Sequence, residues 1–308
     1  PIKSSAASDV YKRQDQQFTD YKGDKVTLKA NPDNVKDFYE TGMSYINNVS
    51  VAGGGEKADF RLSFTSTNQT GVVPGSDYNK YAFSVNAGMN FTKNFTGRIS
   101  AQYIRSDSEG RPAQGANDSN LLIPLINGLP RTIDIHDIQK NWVDENGKQI
   151  TLDPEGKSNN PYWIINRNMF NTDRDRYIMS LSMKWNITNW LNIIGRARVD
   201  NAYTDFERKL YASTDGLFSK SQGNYMTQED KNTATYLDFL VNIDKKFGEN
   251  YHLLVNLGGS YYDEKYKSST FEGNLLGVPN FFHPSNIPST ESGYSKQSLH
   301  TQTQSLYG

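Results

Sequence analysis

The stretch "YIMSLSMKWNITNWLNIIGRARVD", residues 177–200, consists of two alternating segments around the polar turn "NITN", residues 186–189. Successive side chains of a β-strand point to opposite faces of a sheet, so a period of two indicates a strand. The stretch therefore predicts an antiparallel hairpin with one apolar face. That face comprises Tyr177, Met179, Leu181, Met183 and Trp185 before the turn, and Leu191, Ile193, Gly195, Ala197 and Val199 after it.

Three further segments show the same alternation. They are "YAFSVNAGMNF" (81–91), "FTGRISAQY" (95–103) and "LDFLVNIDKKF" (237–247). In each segment every second residue is mostly apolar, and the residues between them, which form the other parity, are mostly small, amide or charged. Such a pattern predicts an all-β protein. It is also typical of a soluble antiparallel sheet with one wet face, so alternation alone leaves the environment of the apolar face open.

The connections between the predicted strands are short and long in strict alternation. Short links lie at 53–57, 92–94, 186–189 and 248–250, and long links at 68–78, 106–172, 209–228 and 267–295. Outer-membrane barrels have tight turns on one rim and long loops on the other. We therefore predict a transmembrane antiparallel β-barrel section of about nine strands, at 43–53, 57–67, 78–91, 95–105, 174–187, 190–208, 231–247, 251–266 and 296–308.

Aromatic residues bracket three of the four short turns. Because aromatic rings prefer the boundary between hydrocarbon and headgroups, these residues predict an interfacial girdle at one height. The alternative is aromatic packing at the end of a soluble core. The girdle residues are Phe91 and Phe95, Trp185 and Trp190, and Phe247 and Tyr251.

The composition restricts the class of partner. The 308 residues carry 33 basic and 34 acidic side chains, so a net charge of -1 gives no electrostatic attraction for nucleic acid. The absence of cysteine excludes disulfides and thiolate sites. The mean hydropathy of -0.73 is low, but a barrel shows lipid only every second residue of each strand. The sequence contains no run of 18 apolar residues, so it predicts no membrane-spanning helix.

The candidate functional residues lie at the polar alternate positions of the strands and in the long links. In a barrel the polar side chains would face the lumen, where they would contact a plug or a passing solute, or only solvate the wall and pair across strands. These lumen-facing candidates are Arg61, Arg98, Arg196, Arg198, Asp238, Asn242 and Asp244. Loop aromatics would stack on sugars, pack under a lid protein or pack on one another; they are Trp142, Tyr162, Trp163, Phe281 and Phe282.

We find no constellation that predicts catalysis or metal binding. The histidines at 136, 252, 283 and 300 lack metal-ligand spacing, and the pairs Asp173/Asp175 and Asp263/Glu264 are expected to be rim charges rather than glycosidase acids. The sequence therefore predicts no enzyme, no catalytic residue, no metal site and no cofactor. The longest link is expected to hold a short helix in "DIHDIQKNW" (134–142) and a turn at "NG" (146–147).

Several motifs occur in an order that resembles one family. The segment 38–88, "FYETGMSYINNVSVAGGGEKADFRLSFTSTNQTGVVPGSDYNKYAFSVNAG", resembles the first barrel strands of SusC/RagA-type TonB-linked outer-membrane proteins. The segments "NPYWIINRN" (160–168) and "DRDRYIMSLSMKWNITNWL" (173–191) are similar to later parts of the same family. The resemblance covers residues 30–308.

The resemblance implies a 22-stranded TonB-dependent barrel with an N-terminal plug, in the outer membrane of a Gram-negative cell. It implies import of glycan or peptide fragments, with TonB contacting the N-terminal region and a SusD-like surface lipoprotein covering the loops. Outer-membrane lipid would surround the barrel. Three alternatives stay open at this point: a passive porin, a surface adhesin barrel and a soluble glycan-binding β-protein.

The chain departs from the full family pattern, since the plug domain is absent and about nine strands replace 22. We therefore expect a barrel fragment that transports nothing by itself, with open strand edges that favour aggregation. Residues 1–14 match nothing in the family and are expected to be a foreign leader. Residues 15–37 are expected to be an irregular lead-in segment, and residues 38–308 the N-terminal part of the barrel.

Overall fold

The computed structural model describes residues 16–113, 120–152, 158–216 and 221–308, and within them one antiparallel sheet of nine strands dominates. Each strand pairs with its neighbours in the chain, so the sheet is a simple meander. This confirms the predicted all-β class and the number of strands. After the small hairpin β1 (Gln17–Thr19) and β2 (Lys25–Thr27), the strands are β3 Met43–Gly54, β4 Ala58–Thr70, β5 Asp77–Asn90, β6 Phe95–Glu109, β7 Asn168–Asn186, β8 Leu191–Tyr211, β9 Gly223–Phe247, β10 Tyr251–Asn274 and β11 Ser292–Tyr307.

The strands extend further toward the long loops than the sequence predicts. Their ends at the short turns lie within one residue of the prediction, whereas β7 begins at Asn168, β9 begins at Gly223 and β10 ends at Asn274. In this outer part the regular alternation of apolar and polar residues is lost, as in "QEDKN" (228–232). The backbone ladder continues there, but alternation does not mark it.

The sheet is staggered along the strand direction. One register row runs from Gly54 and Asp59, at the first short turn, to Asp238 in β9. Strand β9 continues for nine residues beyond that row, to Phe247, before its own turn. The strands are thus displaced in the same direction across the sheet, as the tilted strands of a barrel require.

The hydrophobic core lies at the long-loop end rather than against the sheet. Residues 16–42 include α1 (Asn34–Phe38), which packs on the link between β6 and β7, where α2 (Ile135–Lys140) and α3 (Pro161–Arg167) lie. The predicted helix is therefore confirmed as α2. The lead-in segment is more ordered than expected, with a hairpin and a helix. The core residues are Phe38, Val73, Leu121, Leu125, Leu129, Ile133, Ile135, Ile138, Leu152, Tyr162 and Ile164.

A second, smaller cluster joins the last two long loops, with Tyr225, Leu275 and Ile287 buried together. The predicted turn at 146–147 is also present, with Gly147 at φ +77°. No helix in the described ranges is both long enough and apolar enough to cross a membrane. The predicted foreign leader, residues 1–14, lies outside the described residues.

Candidate functional site

One face of the sheet is a continuous apolar surface. Cross-strand pairing places Phe60, Ala87, Ile99, Leu181, Ala197 and Leu237 in a single row, and the rows on either side are similar. These side chains are open to the surroundings: Ile99 is 52% and Met179 58% exposed. This face also holds Met179, Leu181, Leu191, Ile193, Val241 and Ile243. In a barrel we expect these six residues to contact lipid.

An aromatic row closes this face at the short-turn end, where the girdle was predicted. The rings of Phe91 and Phe95 stack with centroids 5.2 Å apart. The ammonium of Lys245 lies 4.2 Å from the centroid of Trp190 and 5.1 Å from that of Phe247. Trp185 is 53% exposed and Tyr251 75% exposed. The arrangement suits a boundary where rings sit beside hydrocarbon and a lysine extends toward water.

A second aromatic row, which the sequence reasoning missed, crosses the same face toward the long loops. Phe64, Phe83, Tyr103 and Tyr177 are adjacent in the register of β4 to β7, and the last two rings stack at 4.9 Å. Beyond this row the face becomes charged, since Arg105 is ion-paired with both Asp173 and Asp175. The apolar surface is therefore a band with an aromatic row at each border.

A sequence signal for the second row exists. Phe83 and Phe91, Phe95 and Tyr103, and Tyr177 and Trp185 are each eight residues apart on the apolar parity. Eight residues of strand measure about 26 Å, and a tilt of about 40° reduces this to about 20 Å of height. This is close to the apolar band of about 25 Å in outer-membrane barrels.

The opposite face carries an arginine–carboxylate network over β8 and β9. Arg196 donates from Nε to Asp238 Oδ1 at 2.8 Å, and the Tyr236 hydroxyl donates to Asp238 Oδ2 at 2.8 Å. The Asp238 side chain is fully buried, while that of Arg196 is half exposed. The carboxylate thus holds the guanidinium in place without reaching the surface.

A second carboxylate on the same face is shared between two arginines. Arg176 donates to both oxygens of Asp200, from Nε at 2.8 Å and from Nη2 at 2.6 Å. Arg198 donates to Oδ2 of Asp200 at 3.2 Å. Arg176 and Asp200 were not among the predicted site residues, although both lie at polar-face positions of their strands, β7 and β8.

A glycine lets an ion pair bridge two strands that are not neighbours. Arg98 in β6 reaches Asp59 in β4 at 3.3 Å, passing over Gly88 in β5. A Cβ atom on Gly88 would lie 2.6 Å from the Asp59 Oδ1 atom and 3.2 Å from the Arg98 Cζ atom. Both side chains are exposed, so the pair contributes little to stability and serves to shape the polar face.

Toward the short turns the polar face presents amides. Asn186, Asn192, Asn242 and Asn256 occupy adjacent register positions in β7 to β10. The Asn242 side chain donates to Asn192 at 2.7 Å. One register position further, Asp244 lies 2.6 Å from the Nε2 atom of His252. The predicted residues Asn242 and Asp244 therefore pair across strands.

The long loops are fastened to one another by aromatic contacts. The Trp163 indole donates to Thr214 Oγ1 at 2.8 Å, and the Arg167 guanidinium lies 5.7 Å from the ring of Trp142 and 4.8 Å from that of Tyr211. Phe282 packs on Tyr211 with ring centroids 4.8 Å apart. Four of the predicted loop aromatics thus pack within the loops, and Phe281 is 52% exposed.

Two titratable groups in this loop region have shifted pKa values, one through burial and one through a hydrogen bond. Burial of Tyr162 raises the pKa of its hydroxyl to about 12, and the nearby carboxylates of Glu40 and Asp37 raise it further. The backbone N–H of His136 donates to Asp134 at the start of α2 and lowers the pKa of that carboxyl. Both shifts follow from helix and core packing and indicate no catalytic group.

The described residues hold no cluster of His, Cys, Asp and Glu that could bind a metal ion. Each histidine instead contacts one polar neighbour, such as His300 with Asp263. Asp263 and Glu264 are successive strand residues and point to opposite faces, so they cannot act as a pair of glycosidase acids. Asp173 and Asp175 are the ion-pair partners of Arg105 at the charged end of the outer face.

Comparison with known proteins gives matches among solved structures. No family model matches the sequence, and no curated protein matches it. The RagAB peptide importer in its closed-closed state matches 98% of this chain and 34% of its own, with a TM-score of 0.69 at 13% identity. The open-open state matches 89% and 30%, with a TM-score of 0.70 at 13% identity. The chain thus spans about a third of the length of the chains it matches.

The fold is a section of a transmembrane β-barrel. The matched structures are described as a peptide importer. In such a barrel the apolar band would be the outer surface and the arginine-bearing face would be the lumenal wall. The lipid contact of the band and the lumenal role of single residues stay predictions.

The structure brings only some of the predicted lumenal residues together. Arg196, Arg198 and Asp238 form one cluster, and Asn242 and Asp244 lie further along β9 toward its turn. The remaining two, Arg61 and Arg98, lie several strands away on β4 and β6. Arg61 contacts Ser50 at 3.3 Å and belongs to no ion pair among the described residues.

Proposed function

We propose that this chain forms part of the wall of an outer-membrane, TonB-dependent nutrient importer of the SusC/RagA type in a Gram-negative cell. The observation that carries the proposal is the separation of the two faces across the eight strands β3 to β10. One face is an exposed apolar band between two aromatic rows, and the other is a hydrogen-bonded polar wall. Exposed apolar area of this extent requires a covering, and the two aromatic borders favour lipid.

The solute class is inferred from the family resemblance and from the matched structures. RagAB is described as a peptide importer, and the SusC/RagA resemblance implies glycan or peptide fragments. A wall of arginine, tyrosine, serine and asparagine side chains suits either class, because both are rich in hydrogen-bonding groups. We therefore propose an oligosaccharide or peptide solute.

Two protein partners belong to this proposal. A SusD-like surface lipoprotein would dock on the long loops, where Leu276, Val278 and Phe281 form an exposed apolar tip that is 62%, 58% and 52% exposed, respectively. TonB would contact the N-terminal region of the whole protein and supply the energy for import. Neither partner is nucleic acid, in keeping with the balanced charge.

Three alternative functions make different demands on the structure. A soluble glycan-binding protein would place its aromatics on one concave face rather than along two borders of an exposed apolar band. A passive porin would share the barrel and would not need TonB. A surface adhesin would keep the loops and would not need a network of charges on the lumenal wall.

The test is uptake by cells that express the whole protein containing this chain. Labelled peptides and oligosaccharides are supplied to cells with and without TonB, and accumulated label is measured. We expect uptake that disappears when TonB is deleted. Uptake that persists without TonB would favour a porin, and the absence of uptake together with surface adhesion would favour an adhesin.

A further inference from the structure

The polar face of β7 to β10 contains a groove whose exposed charge is positive. It is lined by Ser180, Ser182, Arg196, Arg198 and Asp200 on one side, and its other lining residues include Tyr236, Asp238 and Tyr262. The groove contains two arginines and two aspartates, so its formal charge is balanced. What a ligand would meet depends on which of these side chains are accessible.

Accessibility differs sharply between the two signs of charge. The side chains of Arg196 and Arg198 are 51% and 52% exposed, whereas those of Asp238 and Asp200 are 0% and 17% exposed. Each aspartate is already occupied, because Asp238 accepts from Arg196 and Tyr236, and Asp200 accepts from Arg176 and Arg198. The carboxylates therefore orient the guanidinium groups and present little surface of their own to the groove.

The arginines have donors to spare. Among the described residues, Arg196 uses only Nε for its ion pair, and Arg198 uses only Nη2. Ser180 and Ser182 are the cross-strand neighbours of Arg198 and Arg196, and all four residues line the groove. Two adjacent guanidinium groups with free planar N–H pairs fit the two oxygens of a carboxylate.

We propose that this groove binds a carboxylate, with Arg198 and Arg196 as its ligands. The inference rests on the proposed function, since it assumes that the polar face borders the path of a solute. The carboxylate has two possible sources, which are an acidic solute passing along the wall and an acidic side chain from another part of the same protein. The binding chemistry is the same for both.

The test is chemical footprinting of arginine, which does not require transport. The purified whole protein in detergent is treated with p-hydroxyphenylglyoxal, and modified residues are quantified by peptide mass spectrometry. Succinate is the probe, and its neutral diamide succinamide is the matched control. Arg174 is the internal control, because it is exposed on the same face of β7, about 20 Å along the strand from Ser180.

We expect succinate, at ten times its dissociation constant, to slow the modification of Arg198 about tenfold and to leave Arg174 unaffected. Asp200 already pairs with Arg198, so the variant Asp200→Asn is compared as well. Modification of Arg198 that is slow without succinate, stays slow in Asp200→Asn and is relieved by 1 M NaCl would support the proposal with another acidic side chain of the protein as the carboxylate. Equal protection by succinamide, or Arg198 rates that match Arg174 with and without succinate, would overturn it.

A variant separates binding from folding. Arg198→Gln keeps Asp200 paired with both donors of Arg176, so the fold is retained. Succinate affinity, measured by protection of Arg196, should fall about tenfold in Arg198→Gln and stay unchanged in Arg174→Gln. An unchanged affinity in Arg198→Gln would refute the assignment. Binding of succinate without any TonB-dependent uptake would leave this inference standing and refute the proposed importer.

Discussion

The apolar band makes a quantitative prediction for charge insertion at different depths. Leu181 lies four residues from Tyr177 in one aromatic row and four from Trp185 in the other, which is about 13 Å of strand each way. With a tilt of about 40°, about 10 Å of apolar band lies on either side of it. Arginine costs about 2–4 kcal/mol at the midplane of a bilayer and about 0–1 kcal/mol near the interface. We expect Leu181→Arg to destabilise the barrel by about 2–4 kcal/mol and Trp185→Arg or Trp190→Arg by at most about 1 kcal/mol.

The assay is reversible urea unfolding of the whole protein in lipid vesicles, followed by tryptophan fluorescence, with gel mobility as a second readout for the two tryptophan variants. Ser180→Arg is the matched control, because Ser180 neighbours Leu181 in the same strand and lies on the polar face. Ser180→Arg should cost less than Leu181→Arg. If the tryptophan variants are the more damaging, or if Ser180→Arg and Leu181→Arg cost the same, the band does not face lipid.

Three further predictions address the faces and the loops. A spin label at Met179 should be quenched by a lipid-soluble reagent and one at Ser180 should not; equal quenching would refute the assignment of faces. Trp163→Phe removes the hydrogen bond to Thr214 from a side chain that is only 1% exposed, so local opening of residues 211–216 should become about 1–3 kcal/mol easier by hydrogen exchange; unchanged protection would show that the loops are held elsewhere. Tyr162 has its pKa raised to about 12 from about 10, so its contribution to stability is present below about pH 10 and is lost as the pH rises toward 12; tyrosinate absorbance at 295 nm should show one fewer late-titrating residue in Tyr162→Phe, and an unchanged titration would contradict the burial of this hydroxyl.

Most of the sheet was predictable because its environment differs between the two faces. The alternation of Met179, Leu181 and Met183 with Ser180 and Ser182 requires a strand between an apolar and a polar medium. The strict alternation of short and long links predicted a barrel with short turns on one rim and long loops on the other. The aromatic residues at the short turns predicted one border of the apolar band. The lead-in segment and the strand ends next to the long loops were less predictable, since neither shows a regular alternation of apolar and polar residues.

The candidate site was only partly predictable for a different reason. Parity placed Arg196, Arg198 and Asp238 on the polar face, and the structure places all three there. Parity does not say which residues on neighbouring strands stand opposite one another, because that depends on register. The sharing of Asp200 between Arg176 and Arg198 therefore could not be read from the chain.

The sequence by itself determined the strands, their order and the face on which each side chain lies, because these depend on local alternation and on the length of each link. Only the tertiary structure decided the stagger of the sheet and the burial of Asp238 beneath an exposed Arg196. It also decided that residues 16–42 pack on the link between β6 and β7 rather than on the sheet. These features depend on cross-strand register and on contacts between distant segments. Alternation excludes a slip of one residue but not of two, and it says nothing about contacts between distant segments.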